Sequence, residues 1–378
     1  SAIFAINSIC KSCPKEFFKF IPDTFSLFDL IYNLFDENIN IEIILAYEAL
    51  LISVFEAEKL FQKEEKNWRD FISLSQNFMN INYDLLSKQM WVMEVFPKLQ
   101  KILDESIKKN EIVNLLETLI GLVDHFGKFL FVNETIYPIE KISLANCTSN
   151  GTFEKLIIML KLLLQRKSSC QISEEENSED EEDIDYDEEI IDAVCTIIST
   201  LAFKFKEEFS ETFYEFFSKG LLDYLKRKDL IEERCIIFQC INDSIAECRN
   251  ILPKILKDLL EVIDLNLKRN LKKNNEDLYK QIANLIGGLF DSFDDENIKN
   301  MKPHLENCFQ NLENIFINSE DVGRDCVISA TAKILLANKV NANEILNNEI
   351  YGKLVDTLIN YIPLKFEPRQ NFDILKYF

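Results

Sequence analysis

Between Glu174 and Glu189 the chain places twelve acidic residues in sixteen positions, with no lysine or arginine among them. Carboxylates at that density can hold divalent cations, keep a segment solvated, or attract a polycation. A calcium loop needs a glycine at its sharp turn and ligands at fixed spacing; "SEEENSEDEEDIDYDEE" has no glycine and lacks the spacing. Two readings stay open: a disordered, solubilising tract, or an arm that holds a basic partner. For the second, the candidate contacts are Glu174, Glu175, Glu176, Glu179, Asp180, Glu181, Glu182, Asp183, Asp185 and Asp187. Elsewhere Glu232, Glu233, Asp277 and Asp325 join them as acids on helices that could line a binding face.

Other reactive side chains are sparse or apolar in setting. His125 and His304 are the only histidines, and neither has a nucleophile or ligand close in sequence. No nucleophile elbow, HExxH, P-loop or GxGxxG occurs. Most of the ten cysteines sit in apolar helical stretches such as "AVCTII" and "RCIIFQCI", as small core side chains do. The single CxxC, Cys10 to Cys13, has no second pair or nearby histidine to complete a zinc site. No catalytic, cofactor or metal residue is assigned, and a non-enzymatic role is expected.

The elements that must position the acids are helices. Gly and Pro number only eight each, too few for the turns of an all-β fold or the phosphate turns of a doubly wound one. The chain is read as all-α. From residue 211 on, helical stripes come in pairs, with first helices beginning near 211, 252, 301 and 345. That period of about 40–50 residues is the helix-pair period of HEAT solenoids. Met301, Leu305, Phe309, Leu312 and Phe316 form one stripe; Val322, Cys326, Val327, Ala330, Ile334 and Leu335 form its partner. Pro253 and Pro303 fall early in first helices, and Asp277 and Asp321 at the openings of second ones. Gly287 and Gly288 lie within a helical pattern, where they permit close packing. In the N-terminal half, "SAIFAINSICKSCPKEFFKFIPDTFSLFDLIYNLF" with "INIEIILAYEALLISVFEAEKLF" makes one pair. "KQMWVMEVFPKLQKILDESIK" with "NEIVNLLETLIGLVDHFGKFL" makes another, and a segment around Trp68 between them reads as an extra helix or a lengthened connection. The acidic run, 171–189, then falls between a first helix at Phe153–Gln165 and a second at Glu188–Phe205. It is an insertion inside one pair and not an interdomain linker.

Net charge is −22 and would still be −10 without the twelve acids, so direct nucleic-acid and anionic-lipid binding are disfavoured. No signal peptide is visible and no apolar run approaches the roughly 20 residues needed to span a bilayer. Three N-x-S/T triplets, at Asn133, Asn146 and Asn242, would matter only in a secreted chain, and a reducing cytosol or nucleus is expected. The chain opens without Met and inside a helical pattern, which reads as a fragment of a longer protein.

Seven collinear stretches carry a resemblance: "SAIFAINSICKSCPKEFFKFI", "EIILAYEALL", "KQMWVMEVFPKLQKIL", "IIDAVCTIISTLAFKFKEEFSETFYEFF", "RCIIFQCINDSIAEC", "QIANLIGGLFDSF" and "GRDCVISATAKIL". With the acid-rich insertion they resemble the importin-β (karyopherin-β) nuclear transport receptors, in the branch called importin five or importin-β three, over the C-terminal half. The resemblance implies a single HEAT-repeat array over 1–378, a right-handed superhelix of antiparallel pairs whose second helices line the concave face. It implies a monomer that shuttles between cytoplasm and nucleus and binds basic cargo such as ribosomal proteins or histones. Release by GTP-bound Ran GTPase, mainly through N-terminal repeats outside this chain, and contacts with FG nucleoporins are implied too. The competing expectation is a HEAT-repeat scaffold of the phosphatase type, which needs no basic ligand.

Overall fold

The computed structural model describes residues 2–34, 37–64, 86–104, 109–131, 147, 151–168, 171, 187–228, 230–270, 275–292, 298–340, 346–366, 369 and 371–377. Every regular element among them is helical, and none of those helices is long and apolar enough to cross a membrane. The chain divides into two compact units, Ser1–Thr200 and Leu201–Phe378.

The first unit is organised around one long helix. α1 (Ala2–Ser12), α2 (Pro14–Phe17) and α3 (Ile21–Leu34) all pack on α4 (Glu37–Lys63). α4 has no Gly or Pro in its 27 residues, and Ile43, Tyr47, Leu50, Val54, Phe55 and Phe61 are buried along it. The sequence reads residues 1–35 as one side of a pair, whereas the structure breaks them at Cys13 (φ −137, ψ 62), with Pro14 opening α2. The residue before a proline is pushed out of the helical region, so the chain must restart there. Next come α5 (Leu86–Met90), a π turn at Trp91–Val95, α6 (Phe96–Asp104) and α7 (Lys109–Phe126). The π turn lies just before Pro97, whose ring would crowd a carbonyl one turn back in a regular helix. Glu58 of α4, nearly fully buried, accepts from the Leu86 and Ser87 N–H groups (2.6 and 3.4 Å) and from Ser87 Oγ (2.6 Å), capping α5.

Asp29 of α3 meets Lys98 of α6 at 3.1 Å, and Glu56 of α4 meets His125 of α7 at 3.1 Å. Both ties span 69 residues, so both rows of helices advance in step. The segment around Trp68, read in the sequence as an extra helix or a lengthened connection, lies outside the described residues. Trp91 has no exposed surface and packs on Phe96, as a core residue should.

The first unit continues with α8 (Thr152–Leu164), and the unit boundary falls inside α9 (Asp187–Phe205). The second unit holds α10 (Ser210–Phe216), a π turn at Phe217–Leu221, α11 (Leu222–Lys226), α12 (Ile231–Glu247), α13 (Leu252–Asn270) and α14 (Glu276–Ser292). α15 (Leu305–Asn318), α16 (Asp321–Val340), α17 (Asn348–Tyr361) and α18 (Asn371–Tyr377) complete it. Pro303 lies in a 3-10 turn, Ile298–His304, ahead of α15 and not within it. α11, α13 and α15 pack in one row; α12, α14, α16 and α18 pack in another.

Hydrogen bonds between equivalent helices of successive pairs keep a nearly constant offset. Asn266 reaches Leu225 O across 41 residues, Arg269 reaches Lys226 O across 43, and Gln281 reaches Gln239 across 42. Asn307 reaches Asp264 across 43. A fixed offset along two helices means that they run in the same direction. The repeat visible in the apolar pattern is thus written into the polar contacts as well. Two carboxylates continue the device of Glu58: Glu207 accepts from Arg249 N and Asn250 N, both at 3.0 Å, and Glu276 accepts from Glu320 N and Gly323 N. Each satisfies N–H groups that open a helix one repeat later. Gly287 lets α14 approach α16, since a Cβ there would stand 3.0 Å from the Ala330 backbone.

Candidate functional site

The acidic insertion is rooted between α8 and α9, and both roots are built firmly. α8 buries Phe153, Leu156, Ile157, Leu160, Leu163 and Leu164; α9 buries Ile190, Ile191, Val194, Ile197 and Ile198. Each such side chain contributes about 1.5–3 kcal/mol of burial, so neither helix depends on the insertion for its place. α8 ends with Arg166 in the left-handed region (φ 54), its N–H bonded to Leu163 O and that of Lys167 to Leu162 O. This pair of bonds is the Schellman closure, here with arginine where glycine is usual. Gln171 Nε2 adds a bond to Leu163 O at 3.2 Å.

The other root is Asp187, the first residue of α9. It is 8% exposed, and its carboxylate lies 3.4 Å from Arg166 Nη1. The arginine that closes α8 therefore also clamps the opening of α9. The end of α8 and the start of α9 thus lie at neighbouring points of the fold. Asp187, Glu188 and Glu189 share the first turn of α9, where negative charge favours the helix dipole. Glu188, Glu189 and Asp192 are exposed, and they carry the acidity of the run onto the ordered helix.

Of the residues singled out in the sequence, Glu174, Glu175, Glu176, Glu179, Asp180, Glu181, Glu182, Asp183 and Asp185 lie outside the described residues. Asp187 is placed as the anchor just described and not as an open contact. Glu232 and Asp277 are exposed in the first turns of α12 and α14. Glu233 is buried at 3% exposure; adjacent helix positions differ by about 100° in direction, so the two glutamates cannot share a face. Asp325 is buried and accepts from Phe366 N at 2.7 Å, fastening the segment after α17 to α16. Of this set the structure leaves Glu232 and Asp277 exposed, and it adds Glu188, Glu189 and Asp192 on α9.

Asp192 and the Arg166 clamp were missed in the sequence. Asp192 sits among apolar residues three positions past the run. Arg166 was legible only as one of two adjacent cations, with Lys167, before the acids. Among the described residues no cluster of His, Cys, Asp and Glu has a geometry for a metal ion. Burial pushes the thiols of Cys10, Cys248 and Cys308 up to about 12, which makes them unreactive at neutral pH. Cys10 is buried and Cys13 exposed, and neither is in a disulfide. No family model and no curated protein matches the chain.

Proposed function

We propose that the chain is part of a nuclear import receptor of the karyopherin-β kind, a HEAT-repeat solenoid that binds basic proteins such as ribosomal proteins or histones. In this reading the acidic insertion and the exposed acids of the second helices draw in the cargo. Ran GTPase in its GTP form releases the cargo, and FG nucleoporins carry the complex through the pore. The observation that supports it most is the rooting of the insertion. Nine of the twelve acids fall in the sequence between a closed helix end and a clamped helix start, and the other three open α9 itself. The constant stride of the helix pairs supports the solenoid part of the reading.

Each close opposite-charge pair is worth on the order of 4 kcal/mol at an effective dielectric of about 20, before desolvation and salt take most of it back. Binding should therefore be strong in sum and steeply salt-dependent. The test is fluorescence anisotropy of a labelled lysine-rich peptide against the whole chain and against a variant lacking residues 174–185. The expected result is binding at about 50 mM salt that falls away by about 500 mM, and weaker binding by the deletion variant. Absence of binding at the lower salt removes the mechanism and favours the scaffold role.

A further inference from the structure

A concentration of positive charge sits at the C-terminal ends of α11 and α13. The tripeptide Leu-Lys-Arg occurs at 225–227 and again at 267–269, in step with the repeat. Arg269 Nη1 donates to the carbonyls of Lys226 (2.8 Å) and Arg227 (3.2 Å), which fixes the two ends side by side. The Arg227 guanidinium lies 4.3 Å from the centre of the Tyr224 ring. Lys226, Lys228 and Lys268 are exposed around these two held arginines. Among the described residues none of the five cations is in an ion pair; Asp223, one turn before Arg227, does not reach it.

We propose that this patch is a docking site for a short acidic segment of a partner protein. The two held arginines lose little freedom on binding carboxylates and have guanidinium donors to offer them, while the exposed lysines add charge around them. Size decides between acidic peptide and nucleic acid. Neighbouring helices lie about 8–10 Å apart, so an extended segment of roughly four to six residues covers the patch. A nucleic acid carries one charge per roughly 1.7 Å and runs on past the patch. Beyond a Debye length of about 8 Å it meets the field of a chain with net charge −22.

The experiment uses the whole chain and the K226E/K268E double variant, whose exposed side chains leave the Arg269 bonds alone. The probe is a fluorescein-labelled Asp/Glu peptide of about ten residues, with lysine-rich peptide and duplex DNA as parallel arms. Expected are binding of the acidic peptide at about 50 mM salt, a loss of about tenfold or more in the variant, and an unchanged Tm. No binding, equal binding by the variant, or tighter patch-dependent binding of DNA overturns the proposal. So does self-association of the chain that the same variant abolishes. Failure of the lysine-rich arm alone counts against the import-receptor reading and leaves this one standing.

Discussion

Asn266→Ala tests how successive helix pairs are joined. Asn266 has no exposed surface; its amide donates to Leu225 O (2.8 Å) at the end of α11 and to Val262 O (2.7 Å) within α13. Its Oδ1 accepts from Arg234 Nη1 of α12 at 2.6 Å, and Arg234 is itself fully buried. Truncation takes a donor from a carbonyl at a helix end and an acceptor from a buried guanidinium. Leaving a buried polar group short of a partner costs about 1–3 kcal/mol, with bonds to charged groups at the upper end. The Val262 carbonyl lies inside α13 and keeps its helical bond, so it adds little. The sum is about 3–4 kcal/mol, a large part of an ordinary stability of about 5–15 kcal/mol. Asn266→Leu nearly conserves volume and refills the space, yet leaves the same groups short, so it should recover no more than about 1 kcal/mol. Urea unfolding followed by far-UV circular dichroism reads this as a midpoint lowered by about 1.5–2 M, for a slope near 2 kcal/mol per M. A shift below about 0.3 M for Asn266→Ala, or full recovery by Asn266→Leu, refutes the reasoning by assigning the cost to packing alone.

Gly287→Ala puts a Cβ 3.0 Å from the Ala330 backbone; crowding of about 1–3 kcal/mol outweighs the roughly 1 kcal/mol gained in helix propensity, and Tm falls. Gly352→Ala in α17 meets nothing within 4 Å, so only the propensity gain of about 0.5–1 kcal/mol remains and Tm rises. Glu48 of α4 is half-buried against Gly121 of α7, and burial raises its carboxyl pKa although Lys11 pulls the other way. A raised acid pKa means that the folded state holds the proton more tightly than the unfolded chain. The resulting penalty is absent below the ordinary carboxylate range and grows as pH rises through it. Glu48→Gln should therefore raise Tm at pH 7 by a margin that closes as pH falls towards 4; a margin that persists at pH 4 refutes the linkage. Deleting 174–185 should leave Tm nearly unchanged, whereas Asp187→Ala, which releases Arg166, should cost about 1 kcal/mol. Equal effects of the two would show that the clamp is idle.

Apolar periodicity located the helices well because it records which face each one must hide. First helices expected near 211 and 252 begin at Ser210 and Leu252, and those expected near 301 and 345 begin at Leu305 and Asn348. The insertion roots were placed within one or two residues of the observed helix ends. Polar residues with internal work were not legible. In "IEERC", Glu232 and Glu233 both read as acids that could line a binding face, yet only Glu232 faces water. Asp325 reads as a surface acid but is held inside by Phe366 N, a partner 41 residues away. One sequence carries no mark of such distant partners, so the acids that could meet a ligand had to be sorted by geometry.

The fixed stride also bears on how the chain comes together as it is made. Among the described residues of the second unit, the hydrogen bonds between equivalent helices reach no farther than 47 residues. A pair can therefore dock as soon as the next one has left the ribosome, without waiting for a distant C-terminus. Low sequence separation keeps the entropic cost of each closure small and lets assembly start at any pair and spread to its neighbours.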